Sequence, residues 1–229
     1  MTTAIILAAG KSERMGENID KAFLALGARP VVAWSLLAFQ QCPEIQKIIL
    51  VVRKEKLVAA KGVAGMFGLS KVSQIIAGGA RRQDSVARGL EAVDPDTRVI
   101  AVHDGARPCV TPELVATLVK SARAHGSGIP ATRVIDSLKT VDRNGNFNGI
   151  VDRANLWTVQ TPQAFRAELL TRAYAALGKG KTEVTDDAAA VALLPDAPAL
   201  HPVEWNRPNL KITIVEDLAI AAALLRIQG

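Results

Sequence analysis

The sequence predicts an α/β fold, Rossmann-like, with a mostly parallel sheet, helices on both of its faces and a protruding β-arm. Three observations predict it. Short apolar runs alternate with helical stretches of ten or more residues, the rhythm of βαβ units. The loops richest in glycine and charge follow the ends of those runs, where open parallel sheets bind ligands. Residues 137–160 break the rhythm around Asn144-Gly145, a strong hairpin signal.

Residues 4–9 (A-I-I-L-A-A) read as the first strand, because an unbroken apolar run suits a strand buried on both faces. A polar loop runs to about Lys21. Pro30 opens a helix over 30–39, with Val31, Trp34, Leu37 and Ala38 on one face. Residues 47–52 (K-I-I-L-V-V) form a second strand, 54–67 a helix, and 73–77 a third strand closed by Gly78-Gly79. A helix over 84–93, a strand over 98–102, a helix over 112–124 and a strand over 128–134 follow. The arm carries strand-like pieces at 139–141 and 149–152. Helices return at 165–177 and 186–194, then a last strand at 209–214 and a final helix over 215–227. No repeat, low-complexity stretch or linker divides the chain, so residues 1–229 read as one domain with the arm at about 137–160.

Composition narrows the function. With 49% hydrophobic and 22% charged residues, the 229-residue chain has the profile of a soluble globular protein with a sizeable core. No apolar run approaches the ~18 residues of a membrane span, and the N-terminus lacks the basic region of a signal peptide. Two cysteines, Cys42 and Cys109, exclude a disulfide framework, and three scattered histidines exclude a zinc site of Cys/His spacing. A reducing cytoplasm is the expected compartment. The net charge of +6 and pI of about 9.5 point to anionic partners. Three Trp, one Tyr and five Phe are few for a base-stacking platform, and no Lys/Arg block exceeds Arg81-Arg82. The charge reads as solvated surface plus a basic pocket for a small polyanion, with neither nucleic acid nor membrane as partner.

Three loops carry the chemistry. Gly10-Lys11-Ser12 resembles the end of a P-loop, but Ile5 stands where that motif needs glycine, and a Rossmann fingerprint also fails at Ser12 and Met15. What remains is a small-residue turn whose backbone N–H groups can face an anion, with Arg14 and Lys21 nearby; an ordinary βα turn explains it equally well. In Gly78-Gly79-Ala80-Arg81-Arg82-Gln83-Asp84-Ser85 the paired glycines admit a flat ligand, while Asp84 or Ser85 also suits a helix cap. His103-Asp104-Gly105-Ala106-Arg107 ends the fourth strand. Asp104 there suits Mg²⁺ bound to phosphates, with Arg107 as a fork for a second phosphate; an internal Asp104–Arg107 pair is the competing reading. His103 reads as a core residue. No nucleophile–histidine constellation is present, so lysines, arginines and one carboxylate suit phosphoryl or nucleotidyl transfer better than hydrolysis.

These motifs occur in order: L-A-A-G-K-S-E-R-M-G, G-G-A-R-R-Q-D-S-V, H-D-G-A-R-P, D-S-L-K, V-D-R, T-P-Q-A-F, T-D-D-A and N-L-K-I-T-I-V-E-D-L. The set resembles the 2-C-methyl-D-erythritol 4-phosphate cytidylyltransferase family of the non-mevalonate isoprenoid pathway along nearly the whole chain. The resemblance implies that Ala8, Ala9 and Gly10 cradle the nucleotide, and that Arg14, Lys21 and Lys211, with Thr213 beside it, meet the phosphates. Gly78, Gly79 and Ser85 would surround the cytosine and ribose, and Asp104 would hold Mg²⁺. Arg107, Ser137 and Arg153 would receive methylerythritol phosphate. It also implies a homodimer in which the arm is exchanged, so that Ser137 and Arg153 serve the partner's site. Ser12 stands where the family often has glycine, Val215 where proline is common, and Ser137 where threonine is frequent.

The implied reaction joins CTP and 2-C-methyl-D-erythritol 4-phosphate and releases pyrophosphate. A related enzyme using another acceptor, such as ribitol 5-phosphate, is the nearest alternative, and a non-catalytic nucleotide binder is another class. Retention of Lys21, Asp104 and Lys211 together speaks against the binder.

Overall fold

The computed structural model describes residues 1–10, 20–178 and 182–227. In chain order, β1 (Thr2–Ala8) precedes a small hairpin of β2 (Ala25–Leu26) and β3 (Arg29–Pro30), then α1 (Val31–Gln41), β4 (Lys47–Val52), α2 (Leu57–Met66) and β5 (Val72–Ala77). Next come α3 (Arg82–Glu91), β6 (Val99–Asp104), α4 (Pro112–His125) and β7 (Ser127–Arg133). The second part holds β8 (Leu138–Val141), β9 (Phe147–Val151), β10 (Trp157–Val159), β11 (Gln163–Arg166), α5 (Ala167–Leu177), α6 (Asp187–Ala192), β12 (Pro202–Glu204) and α7 (Asp217–Leu224).

The main sheet runs β10-β7-β11-β6-β1-β4-β5, with β12 beside β7. β1 is central and parallel to both β4 and β6, and β5 is parallel to β4. The continuous apolar runs follow from that position. Ile6, Ile48 and Leu50 pack with Leu36, Phe39, Leu114 and Leu118 on one face. Ile5, Ile49 and Val51 pack with Val86, Phe165 and Leu170 on the other. Alternate residues of each strand serve alternate layers. A truncation such as Ile49→Ala would therefore cost about 2–5 kcal/mol. The chain steps outward from β1 through β4 to β5, then returns to place β6 on the other side of β1. The crevice of this sheet consequently opens between the carboxyl ends of β1 and β6.

Helix ends follow local chemistry. Thr111 caps α4 by accepting from the Leu114 N–H, Pro112 occupies the first turn, and Gly126 closes the helix at φ +90°. The helix expected over 54–67 is a 3₁₀ turn, Lys54–Lys56, continued by α2.

Several expectations are corrected. The strand expected at 209–214 does not form. Ile212 is buried and Leu210 partly buried with Val31, Cys109 and Ala221, and the segment makes no strand ladder among the described residues; Ile212 N–H donates to the Ala106 carbonyl at 2.8 Å. Its alternating pattern reports one buried face without a ladder partner. The helix expected from 165 begins at Ala167, because Gln163–Arg166 is spent on β11, which lies antiparallel between β6 and β7. The final helix is confined to Asp217–Leu224, and Asp217 accepts from the Thr213 and Ile214 N–H groups just before it. The arm is also smaller than 137–160: β8 and β9 form a separate antiparallel pair, while β10 returns to the main sheet against β7. Its turn uses Gly145 at φ +85° and the Asp142 carboxylate, which accepts from the Asn144 and Asn146 N–H groups.

Candidate active site

The carboxyl end of β1 supplies the floor of a pocket of about 180 Å³. Ala8, Ala9, Gly10, Lys21, Gly79, Ser85, Asp104 and Lys211 line it, together with Arg81, Arg82 and Ala106. Seven chain positions predicted from scattered motifs thus meet the eighth, Lys211, which comes from the irregular segment after residue 205.

Each wall has a local cause. Lys21 opens a 3₁₀ turn, Lys21–Phe23, capped by the buried Asp20 carboxylate, which accepts from the Ala22 N–H at 3.2 Å. Gly78 and Gly79 are required by packing: a Cβ on Gly78 would lie 2.4 Å from the Ala9 Cβ, and one on Gly79 would lie 2.4 Å from the Asp84 Cβ. The Ser85 hydroxyl accepts from the Gly79 N–H at 3.1 Å and donates to the Arg81 carbonyl at 3.2 Å, so it ties the glycine turn to α3. Asp84 is the residue that caps that helix, accepting from the Arg81 N–H at 3.0 Å.

Asp104 is the electrostatic centre. Its Oδ2 accepts from Lys211 Nζ at 2.6 Å and its Oδ1 from Arg82 Nε at 3.2 Å. Its backbone N–H donates to the Thr161 hydroxyl at 3.0 Å. Burial raises its pKa, but the Arg82 and Lys211 charges outweigh burial and hold the carboxyl well below the usual carboxylate range. Asp104 is therefore ionised across the physiological range. Arg107 is not its hydrogen-bonded partner: its guanidinium donates to the Asn209 carbonyl at 2.7 Å, and its Nε is buried without a partner among the described residues. The competing Asp104–Arg107 pair is thus replaced by two other cations. His103 is a core residue as expected. Burial pushes its pKa down to about 3, and its ring lies 5.1 Å from that of Phe39.

The remaining predicted residues lie elsewhere. Gly78 borders an adjoining hollow with Ala9 and Gly79. The Thr213 hydroxyl donates to Asp217 at 2.7 Å. Ser137 and Arg153 are exposed at the base of the arm, where Arg153 donates to the Ile135 carbonyl, and neither lines the pocket of its own chain. Arg14 lies outside the described residues, as does Ser12. Arg82 was legible only as half of the longest basic block; its pairing with Asp104 across 22 positions leaves no signal in spacing.

A wider cleft of about 1090 Å³ lies at the opposite, amino ends of β1 and β6. Its Arg123 and Arg172 are paired with Glu44 and Asp196, and it holds none of the predicted site residues. Size does not mark the site here; convergent charge at the strand ends does.

Comparison with known proteins agrees with the geometry. Residues 2–227 match the family described as 2-C-methyl-D-erythritol 4-phosphate cytidylyltransferase (IspD). The chain is 37% identical over 226 residues to the enzyme of that name from Alkaliphilus oremlandii, covering 98% of this chain and 95% of the relative. It is 40% identical over 223 residues to the one from Dehalococcoides mccartyi, covering 97% and 95%. Among solved structures, the 4-diphosphocytidyl-2C-methyl-D-erythritol synthase of Anaerococcus prevotii superposes with a TM-score of 0.84 at 29% identity, covering 98% of this chain and 96% of that one. The 2-C-methyl-D-erythritol 4-phosphate cytidylyltransferase of Thermus thermophilus gives 0.77 at 32% identity, covering 97% and 98%. A family match over nearly the full length, joined to a cation-rich pocket at the switch point of the sheet, places this chain in the 2-C-methyl-D-erythritol 4-phosphate cytidylyltransferase family.

Proposed function

We propose that the Lys21–Asp104–Lys211 pocket is where this chain performs the reaction of its family. That reaction transfers CMP from CTP to 2-C-methyl-D-erythritol 4-phosphate and releases pyrophosphate, in isoprenoid precursor biosynthesis. One observation carries the assignment: an ionised, buried carboxylate at the end of β6, bonded to Lys211, shares with Lys21 a pocket floored by small residues.

The attacking group is a phosphate monoester, largely ionised at neutral pH, so the reaction needs no general base. A pocket without a histidine among its described lining residues suits that chemistry. The difficulty is bringing a dianion to a triphosphate. Lys21 and Lys211, with Arg14 as the resemblance implies, offset that repulsion, and the lysines stabilise charge on the departing pyrophosphate. Ala8, Ala9 and Gly10 let the nucleotide approach the backbone, and the Gly78-Gly79 turn with Ser85 borders the base and ribose.

The donor set at Asp104 fits Mg²⁺. It offers one ionised carboxylate, and Mg²⁺ commonly takes one or two carboxylates with substrate phosphates as its other oxygen ligands. When bound, the ion supplies charge neutralisation at the phosphoryl oxygens. Lys211 donates to Oδ2 of Asp104, so an ion held by that oxygen would displace the ammonium, which would then be available to the phosphates.

The arm brings the acceptor. Phe147 and Ile150 on it are 78% and 83% exposed, unusual for large apolar side chains on a two-stranded pair. A homodimer with exchanged arms buries them and presents Ser137 and Arg153 to the partner's pocket. Cys42 and Cys109 are free thiols, in keeping with a cytoplasmic enzyme, and no helix among the described residues is long and apolar enough to cross a membrane. Pyrophosphate release from CTP with a panel of phosphorylated polyols tests the reading. Release with 2-C-methyl-D-erythritol 4-phosphate well above that with ribitol 5-phosphate supports it, and the reverse order would refute it.

A further inference from the structure

Asp187 has no part in the chemistry above, yet its carboxylate is fully buried. Its Oδ1 accepts from the Tyr174 hydroxyl at 2.6 Å and its Oδ2 from Arg82 Nη2 at 2.7 Å. The adjoining Asp186 caps α6 by accepting from the Ala189 N–H, and Gln163 of β11 bridges Asp186 and the Ala188 N–H. The Asp187 carboxylate is thus fixed by its helix, by a strand and by a tyrosine of α5.

The guanidinium it holds also touches the pocket. Nε and Nη2 of an arginine form the side-on fork that grips both oxygens of one carboxylate. In Arg82 that fork is divided: Nη2 goes to Asp187 and Nε to Asp104 at 3.2 Å, the longer of the two contacts. Were Asp187 neutral, the fork could close on Asp104 and compete for both of its oxygens. The balance of charge points the same way. Arg82, Lys211 and Arg107 act on Asp104, and Asp187 answers Arg82, so loss of Asp187 leaves three cations around one carboxylate.

We propose that Asp187 is a positioning residue for nucleotidyl transfer: by holding Arg82 it limits that guanidinium to one long contact with Asp104, so that the carboxylate stays available to the metal that accompanies the nucleotide. Tyr174 fixes Asp187 in the orientation that reaches Arg82. The inference rests on the reading of Asp104 as the metal ligand.

The test is calorimetric titration of CTP into the protein at graded Mg²⁺ concentrations, without acceptor, so that no turnover contributes. Asp187→Asn keeps an oxygen for Tyr174 and removes the charge. The Mg²⁺ concentration giving half-maximal CTP affinity should rise about tenfold, the scale of one charge-assisted hydrogen bond gained by the competing fork. The double variant Asp187→Asn/Arg82→Gln removes the competitor and restores the charge balance, so its midpoint should return to within about threefold of the parent. Tyr174→Phe, which keeps the charge on Asp187, should leave the midpoint near parental. Should Asp187→Asn fail to fold by circular dichroism, Asp187→Ser, which also removes the charge, takes its place with the same expected outcomes. A parental midpoint in Asp187→Asn overturns the proposal. So does a double variant displaced as far as Asp187→Asn, which would make Asp187 a packing residue only. Asp104→Asn separates the two readings: if it alone shifts the midpoint, the metal site stands and the role of Asp187 falls. If it does not shift the midpoint, the metal reading falls and takes the inference with it.

Discussion

The pocket and the arm are opposite kinds of surface. In the pocket, buried carboxylates are answered by partly buried cations: Asp104 meets Arg82 and Lys211, and Arg82 meets Asp187. On the arm, Phe147 and Ile150 face outward, and Arg153 reaches only the Ile135 carbonyl. The pocket is organised by its own chain before any ligand arrives, which is how electrostatic preorganisation lowers a barrier. The arm displays groups that nothing among the described residues of its own chain completes. Under the proposed function the difference would separate the two substrates: nucleotide handling would belong to one chain, and acceptor handling would need a second.

The largest expected effect tests the pocket. Lys21→Ala should lower kcat by about 10²–10³, the loss typical of one transition-state charge stabiliser, with an unchanged circular dichroism spectrum. Near-normal turnover in the folded variant would move the chemistry elsewhere. Base choice comes next. A turn built from backbone groups at Gly78 and Gly79 should disfavour UTP by about 10² or more in kcat/KM, because uracil exchanges a donor and an acceptor and leaves site groups unpaired. Equal use of the two nucleotides would place the base pocket elsewhere. Asp104→Asn keeps shape but removes a hard anionic ligand, so about ten times more Mg²⁺ should be needed for half-maximal turnover. An unchanged magnesium titration would leave Asp104 a purely structural counter-ion of Arg82 and Lys211.

The smallest effect sharpens the contrast. Ile150→Asp puts a charge on the exposed face of the arm without touching the pocket. Sedimentation should show dissociation, and activity should fall about tenfold at low protein concentration and recover as the concentration rises. CTP binding should stay parental at every concentration. Loss of CTP binding in this variant would show that the pocket and arm are not separable.

The same contrast decides what was legible in the sequence. Strands β1, β4 and β6 declare themselves because burial on both faces demands unbroken apolar runs. The pocket was legible where its residues sit next to those runs: Ala8 to Gly10 after β1, the glycine pair after β5, and Asp104 at the end of β6. The segment around Leu210 and Ile212 misled because one buried face gives the same alternation with or without a pairing strand. Strand β11 was hidden by its length, four residues running directly into α5. Arg82 and Asp187 were illegible as site components for a different reason. A salt bridge between residues 105 positions apart is set by how α3 and α6 pack, and neither residue's neighbours announce it.

The division of labour between pocket and arm is tested most directly by mixing two defective chains. Lys21→Ala spoils the pocket, Arg153→Ala spoils the arm, and each homodimer should be inactive. After dissociation and random re-formation, half of the dimers are mixed. If Arg153 serves the partner's pocket, each mixed dimer carries one doubly defective site and one intact site. Pyrophosphate release should then return to about a quarter of the parental specific activity, the statistical share of intact sites in two-fold dimers. If Arg153 served its own chain, every site would keep one lesion, and a mixture with verified mixed dimers that stays inactive would contradict the account.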